Sequence, residues 1–410
     1  MKRRLEVSDN AIEAISTLQD AGFESYIVGG AVRDLLLGRS PKDFDISTAA
    51  SPEEVRAVFG RRHARIIGKR FRLAHVYVGR ELFEVSTFRR APENNGTDGR
   101  KIKNPEQLPE HLIVSDNAFG TAREDAQRRD FTVNALFYDP LKEEILDYTG
   151  QGIDDIEAHT VRAIGDPALR FEEDPVRILR ALKLVAQFDF SLDDATENAL
   201  FDKMPLICHA APSRLALELE KILQSCYGDR HLQVFHDYGL LEYLLPEFEN
   251  GWGSPAHDYM MKLFFERNCR VDEGAYRASL SLGVATLAVA FVEKLCGRDP
   301  GSLWPETPEA RAAVRAVLEK LFTPQHMMMK VNLSAENILL MQPELEKAQF
   351  SVELTHQHAY EHACELYRIR HLTDGEAKTS LRSFPPAVGD EGPGRRRRRR
   401  RFKRNKGDKQ

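Results

Sequence analysis

The sequence predicts an α+β protein: a mixed sheet with its helices over the first 150 of 410 residues, then an elongated all-helical body, then a disordered basic tail. Three observations carry this. Short β-type runs alternate with glycine turns and helical periods up to about residue 150. Beyond it the β signals fade and apolar residues recur at helical spacing to about residue 375, as in LALELEKILQ and ARAAVRAVLEKLF. Residues 385–394, PPAVGDEGPG, and the arginine run after them cannot bury enough apolar surface to fold alone. A chain of this length calls for two or three packed units. The pattern sets a first unit at 1–150 and a tail at 385–410, with the helical part between them.

Each element has a local cause. Residues 10–22, NAIEAISTLQDAG, repeat apolar side chains at helical spacing and end in Gly22, suited to a helix C-terminus. Tyr26-Ile27-Val28 is a strand meeting Gly29-Gly30, and 31–37 is a helix closed by Gly38. Asp43-Phe44-Asp45-Ile46 reads as a second strand. Ser51-Pro52-Glu53-Glu54 then opens a helix with Ser at the N-cap, Pro at the first position and Glu at the third. Segments 63–67, 73–78 and 81–88 are rich in Val, Ile, Leu and Phe, with Gly79-Arg80 a hairpin turn. From Arg89 to about Phe119 the chain is polar and aperiodic, as a mobile loop is.

Composition narrows the class. Apolar residues make up 42% and charged residues 30%, and no stretch approaches the roughly 18 apolar residues of a membrane span. The N-terminus, MKRRLEVSDN, lacks a secretory core, so a cytoplasmic location is expected. Five scattered cysteines without CxxC spacing argue against a disulfide framework or a zinc site. Arg395 to Gln410 carry eleven Lys or Arg and one Asp, a net +10 that leaves −15 on the rest of a chain whose total is −5. An acidic body with a basic tail suits a polyanionic partner bound through the tail.

The chemistry concentrates in four motifs. In a strand, residues two apart share a face, so Asp43 and Asp45 present two carboxylates together. Their repulsion is relieved by a divalent cation, and Mg²⁺ favours a few carboxylates plus substrate phosphates. Alone, such a pair is common on surfaces. Gly29-Gly30 lies about a dozen residues earlier, where a missing side chain lets backbone approach phosphate. EDAQRRDFTVNAL, 124–136, and RFEEDPVRILRAL, 170–182, are dense in charge. Asp174 and Arg177 stand one helical turn apart, able to pair with a base edge, although Asp174-Pro175 is equally good helix-start chemistry. IIGKRFRLAHVYVG suits an RNA backbone or a surface strand.

GGAVRDLLLG, KDFDIST, EDAQRRDFTVNAL and EEDPVRILRA together resemble the class II nucleotidyltransferases, which comprise CCA-adding enzymes and bacterial poly(A) polymerases. The likeness spans about residues 20–250, which divides the helical part into 151–250 and 251–384. GKRFRLAHV and the arginine-rich tail are similar to the poly(A) polymerases. The resemblance implies a polymerase β-like palm in a head domain, a helical neck that binds nucleotide and RNA, and template-independent transfer of AMP from ATP to RNA 3′-hydroxyls. It implies two Mg²⁺ ions on Asp43 and Asp45, and Asp130 as a further active-site carboxylate, with Glu84 its competitor. It gives Gly29, Gly30 and Arg33 to the triphosphate, Arg129 to ribose or triphosphate, and Asp174 and Arg177 to the adenine edge. Partners implied are the 3′ ends of mRNA and other transcripts, ATP and RNA-decay proteins. One metal would activate the 3′-hydroxyl and the other neutralise the departing pyrophosphate, with no covalent enzyme intermediate.

Three alternatives compete. A tRNA CCA-adding enzyme would share the core motifs while switching between CTP and ATP. A phosphohydrolase module built on His236-Asp237 and His257-Asp258 lacks the further His and Asp such a site needs. A catalytically dead RNA binder would have no use for clustered carboxylates beside RNA.

The charge asymmetry makes a prediction. Deleting residues 395–410 should weaken RNA binding and reduce the slope of log K against log salt by about 0.7 for each phosphate the tail neutralises, leaving ATP affinity nearly intact. Filter binding across a salt series reads this directly, and an unchanged slope would refute it.

Overall fold

The computed structural model describes residues 1–68, 72–90, 119–321, 329–347, 349, 351–378 and 380–387. Most of the expected 89–119 loop, the basic tail and Lys69 to Phe71 of GKRFRLAHV lie outside these residues. The chain divides into two compact units, Met1–Ala211 and Pro212–Gln410.

The first unit is built on a seven-stranded mixed sheet. Helix α1 (Asp9–Asp20) starts where the Ser8 hydroxyl accepts from the Ala11 N–H, and it precedes strand β1 (Ser25–Val28). Helix α2 (Gly30–Leu36) and strand β2 (Asp45–Thr48) follow. Strand β2 is therefore shifted from the expected 43–46: it begins at Asp45, and Asp43 lies in the approach to it. Helix α3 (Pro52–Phe59) has the expected capping box, with Ser51 and Glu54 each satisfying the other's backbone N–H. Strands β3 (Ala64–Ile67), β4 (Leu73–Val78) and β5 (Glu81–Thr87) form the predicted hairpin run. Arg89 and Phe119 pair across a β-bridge, so the chain leaves and re-enters the described structure at one place. Helix α4 (Ala122–Gln127) leads to strands β6 (Leu136–Asp139) and β7 (Glu144–Asp147).

The strand order is β3-β4-β5-β2-β1-β6-β7, and β2 with β5 is its parallel pair. A core of Tyr26, Val28, Phe88, Ala122, Ala126, Ala135, Phe137 and Ile164 seals α4 against the sheet. Four helices complete the unit: α5 (Gly152–Glu157), α6 (Pro167–Glu173), α7 (Val176–Phe188) and α8 (Asp194–Lys203), with strands β8 (Thr160–Val161) and β9 (Ser191–Leu192) pairing beside them.

The second unit is helical throughout its described residues. It runs α9 (Pro212–Gln224), α10 (Gly228–Asp237), α11 (Leu241–Leu244), α12 (Pro246–Glu249), α13 (Pro255–Asp272), α14 (Leu280–Leu295), α15 (Pro308–Leu321), α16 (Met329–Leu340), α17 (Gln342–Glu346) and α18 (Tyr360–Thr373). Its centre is α14, apolar on nearly every side because α9, α13, α15, α16 and α18 all pack on it. Helix α9 comes so close that a Cβ on Gly283 would stand 2.7 Å from the Leu223 carbonyl oxygen. Among the described residues no helix is long and apolar enough to cross a membrane.

One acid is buried at this centre. Glu293 has no exposed surface, and its carboxylate accepts from the Gly301 N–H at 2.9 Å, with Arg370 Nη2 at 3.9 Å. Burial pushes its pKa up to about 7 from 4.5, because the two donors only partly replace lost hydration. The folded state thus holds the proton more tightly than the unfolded chain. The stabilisation is full below about pH 4.5 and is lost as pH rises through about 7. Urea unfolding should therefore show stability falling by a few kcal/mol across that window, and Glu293→Gln should flatten the fall. An identical pH profile in the variant would contradict this.

Candidate active site

The strand register gathers the acidic groups. Asp45 pairs with Val28 on one side and with Glu84 on the other, and Glu84 in turn faces His75 across β4–β5. Residues paired across adjacent strands project from the same face, so Glu84 stands beside Asp45. Glu84 Oε1 lies 3.4 Å from His75 Nε2, and the Glu84 side chain is 58% exposed. Asp43 and Asp45 are also exposed. His75 brings the end of GKRFRLAHV to this row.

Two residues further along β2, Ser47 lies on the same face as Asp45. Its hydroxyl is 3.1 Å from that of Ser86 and accepts from Arg129 Nη2 at 3.2 Å. Arg129 is thereby tied to the face that bears the carboxylates. Its guanidinium also donates to Asp125 Oδ2 at 2.9 and 3.3 Å and to the Asn134 carbonyl at 3.3 Å, over the Phe137 ring. Asp125 is almost fully buried, which acts to raise its pKa, but Arg129 and Arg128 together hold it below the ordinary carboxylate value. It also accepts from the Arg89 N–H at 3.1 Å, fixing the chain where it leaves β5.

The glycine pair works mainly through space. The Gly29 N–H donates to the Leu136 carbonyl at 3.1 Å, continuing the β1–β6 pairing, so that N–H is used by the sheet. Gly29 has φ +71° and ψ −129°, a conformation that only glycine adopts without strain, and a Cβ there would meet Arg129 Nη1 at 3.0 Å. Gly30 opens α2, and a Cβ on it would stand 3.4 Å from Arg33 Nη2. Arg33 is nearly buried, donating to Asp34 Oδ1 at 2.7 and 3.0 Å and to Asn134 Oδ1 at 2.6 Å, with its guanidinium over Phe188.

Asp130 lies deeper. Its Oδ1 accepts from the Phe131 N–H at 2.8 Å and from Asn134 Nδ2 at 3.2 Å, and Oδ2 pairs with Arg180 Nη2 at 2.6 Å. Burial alone would raise its pKa, but Arg180 and these donors hold it down. Asp174 is not on the helix with Arg177, contrary to the expectation of one shared helix face. It closes α6 in an extended conformation, and its Oδ1 accepts from the Val176 N–H at 3.3 Å. Its helix-start chemistry is real, offset by one residue. Arg177 Nη1 donates to the Arg170 carbonyl at 2.8 Å and to Glu173 Oε2 at 2.9 Å.

Sequence reasoning missed Asp125, Asn134, Arg170 and Arg180. All four sit inside the two charged motifs, but no spacing rule separates a buried organiser from a group that touches substrate. In the helical unit, the His236 and His257 rings both pack on Trp252, at 3.8 and 4.0 Å between centroids, and His236 Nδ1 bonds Glu249.

The mixed sheet that carries the acid row and the arginine network, and the helices that follow it, are similar to those of the class II nucleotidyltransferases. Residues 25–162 match the poly A polymerase head domain, and residues 189–251 match the domain described as "Probable RNA and SrmB- binding site of polymerase A". The chain is similar to poly(A) polymerase I of Haemophilus influenzae, 44% identical over 241 residues that cover 59% of this chain and 52% of that one. It is also similar to the CCA-adding enzyme of Lactobacillus helveticus, 38% identical over 58% of this chain and 55% of the relative. The chain thus spans about half the length of the curated relatives it matches. In structure it resembles the Bacillus stearothermophilus CCA-adding enzyme solved with CTP, at TM-score 0.57 and 27% identity, over 96% of this chain and 82% of that one.

Gly29→Ala tests the steric account. Backbone strain of about 1–3 kcal/mol should lower the melting temperature by several degrees. An unchanged melting temperature would show that Gly29 is replaceable.

Proposed function

We propose that this protein adds AMP from ATP to RNA 3′ ends without a template, releasing pyrophosphate, in the cytoplasm. The observation that carries this is the register Asp45↔Glu84, which sets a third carboxylate beside Asp45, on the face where Arg129 is anchored. The similarity to poly(A) polymerase I and the +10 tail favour polyadenylation.

Among the described residues, no group of three or more His, Cys, Asp or Glu is already drawn together tightly enough to hold a metal by itself. The donor set nonetheless fits Mg²⁺, which typically takes one or two carboxylates and completes its shell with water and substrate phosphates. Asp43 and Asp45 are the residues that would hold it, with Glu84 the third carboxylate. When bound, the metal supplies charge neutralisation at the reacting phosphate and polarises the attacking hydroxyl.

The protein's own groups do the rest. Arg129 stabilises the triphosphate or ribose beside the acid row. Gly29 and Gly30 leave the room that lets substrate and Arg129 share that space, and Arg33 braces this wall through Asn134. Asp174 and Arg177 offer an acceptor and a donor set to the adenine edge, taking the place of a template base. Asp130 holds Arg180 and Asn134 in place and so shapes the ribose end. We assign the head to residues 1–150, the nucleotide- and RNA-binding neck to 151–250, the helical body to 251–384, and RNA capture to 385–410. RNA-decay proteins are the partners such a tailing activity would serve.

The CCA-adding reading has support of its own, because the Bacillus stearothermophilus enzyme aligns over nearly the whole chain. The two separate in one assay. Purified protein with a short labelled RNA, Mg²⁺ and ATP alone should give a long ladder, lost by at least a factor of about 10³ in Asp43→Ala and Asp45→Ala. Addition of a few nucleotides only, requiring CTP and a tRNA-like end, would establish the CCA-adding activity instead.

A further inference from the structure

Arg170 opens the second charged motif and bonds the backbone of the first. It is 9% exposed. Its Nη2 donates to the carbonyls of Arg128 and Arg129, each at 2.6 Å, and its Nη1 donates to Glu173 Oε2 at 2.6 Å. Its own carbonyl accepts from Arg177 Nη1 at 2.8 Å and from the Asp174 N–H at 3.3 Å. One residue therefore holds the backbone of Arg129 with its side chain and the base-reading pair with its main chain.

The choice of arginine has a physical reason. Two carbonyls and a carboxylate must be met at once from a buried position, and a planar guanidinium with a rigid fork does this where a single ammonium cannot. Burial of so large a cation lowers its pKa, only partly offset by Glu173, so the site keeps it at a cost that simple packing would not require. From Arg129 the bonds continue to Ser47, two residues from Asp45. A contiguous path thus joins Asp174 and Arg177 to the acid row: Arg170, the Arg129 backbone, the Arg129 side chain, Ser47.

Building on the nucleotidyl-transfer reading, we propose that Arg170 is a positioning residue that couples base recognition to the transfer site. With the bridge intact, a base that seats well against Asp174 and Arg177 holds Arg129 in register with the acid row. With the bridge cut, recognition and transfer become independent, and the preference among nucleotides shrinks.

The test is steady-state RNA extension by the full chain with ATP, CTP, GTP and UTP separately, resolving kcat and KM. Arg170→Met keeps the bulk and removes the fork; Arg170→Lys keeps the charge. Both should lower kcat with ATP far more than with the poorer nucleotides, compressing the ratio of kcat/KM between ATP and its best competitor by about tenfold or more. Arg170→Lys should fail to restore it. A merely structural role would scale all four nucleotides equally, so an unchanged ratio in a folded Arg170→Met protein overturns the proposal. Should Arg170→Met not fold, Glu173→Gln removes one anchor of the same bridge and must shift the ratio in the same direction; an unchanged ratio there is equally decisive. A wild-type chain that extends RNA with no nucleotide would remove the nucleotidyl-transfer reading, and this proposal with it.

Discussion

The parallel pairing of β2 with β5 is the constraint on which the site depends. Side chains in a sheet alternate between faces, so slipping this pair by one residue would put Glu84 on the face opposite Asp45. The register is fixed by what lies on either side. On β2, Ile46 is buried on the face opposite Asp45 and Ser47, and on β5 Val85 is buried next to Glu84. The apolar residues hold the register, and the carboxylates follow from it. Adjacent negative charge at Asp45 and Glu84 is unfavourable in isolation, and the well-buried sheet beneath supplies the stability that lets it persist.

Beneath the acid row, the cations are organised more closely than the anions. Arg128, Arg129, Arg170 and Arg177 converge within two short motifs, and four like charges at such spacing would repel strongly if left unpaired. Each is held by a carboxylate or by carbonyls: Asp125 takes Arg128 and Arg129, and Glu173 takes Arg170 and Arg177. Asn134 joins Arg33 to Asp130 through the two ends of one amide. Preorganisation of this kind costs stability while the protein folds and would avoid reorganisation on binding the triphosphate of the proposed reaction.

Much of the sheet was legible because its determinants are local. Gly22, Gly38 and Gly79 mark turns that the backbone makes with positive φ, and Ser51-Pro52-Glu53-Glu54 specifies a helix start by its own hydrogen bonds. The DxD pair and the two charged motifs stood out for their composition. Strand register did not, because nothing in EVSTFR by itself says that Glu84 meets Asp45 rather than Ser47. Distinctions among the arginines were likewise hidden. Arg33 is committed to Asp34 and Asn134, and Arg170 to carbonyls 41 and 42 residues away, which is a property of the folded chain. The placement of Asp174 turns on Pro175, which breaks the run into α6 and α7: Asp174-Pro175 reads as a helix start in the sequence, while the spacing of Asp174 and Arg177 alone runs on across the break.

On the proposed function, Asp43, Asp45 and Glu84 form one cation-binding row, with Asp130 in the supporting network. Titration of Mn²⁺ in the presence of a non-hydrolysable ATP analogue, followed by electron paramagnetic resonance, separates the row from the network. Asp45→Asn and Glu84→Gln should each weaken Mn²⁺ binding by about 10- to 100-fold, while Asp130→Asn should leave it near the wild-type value. Undiminished binding in Glu84→Gln together with its loss in Asp130→Asn would contradict this arrangement and return the third carboxylate to Asp130.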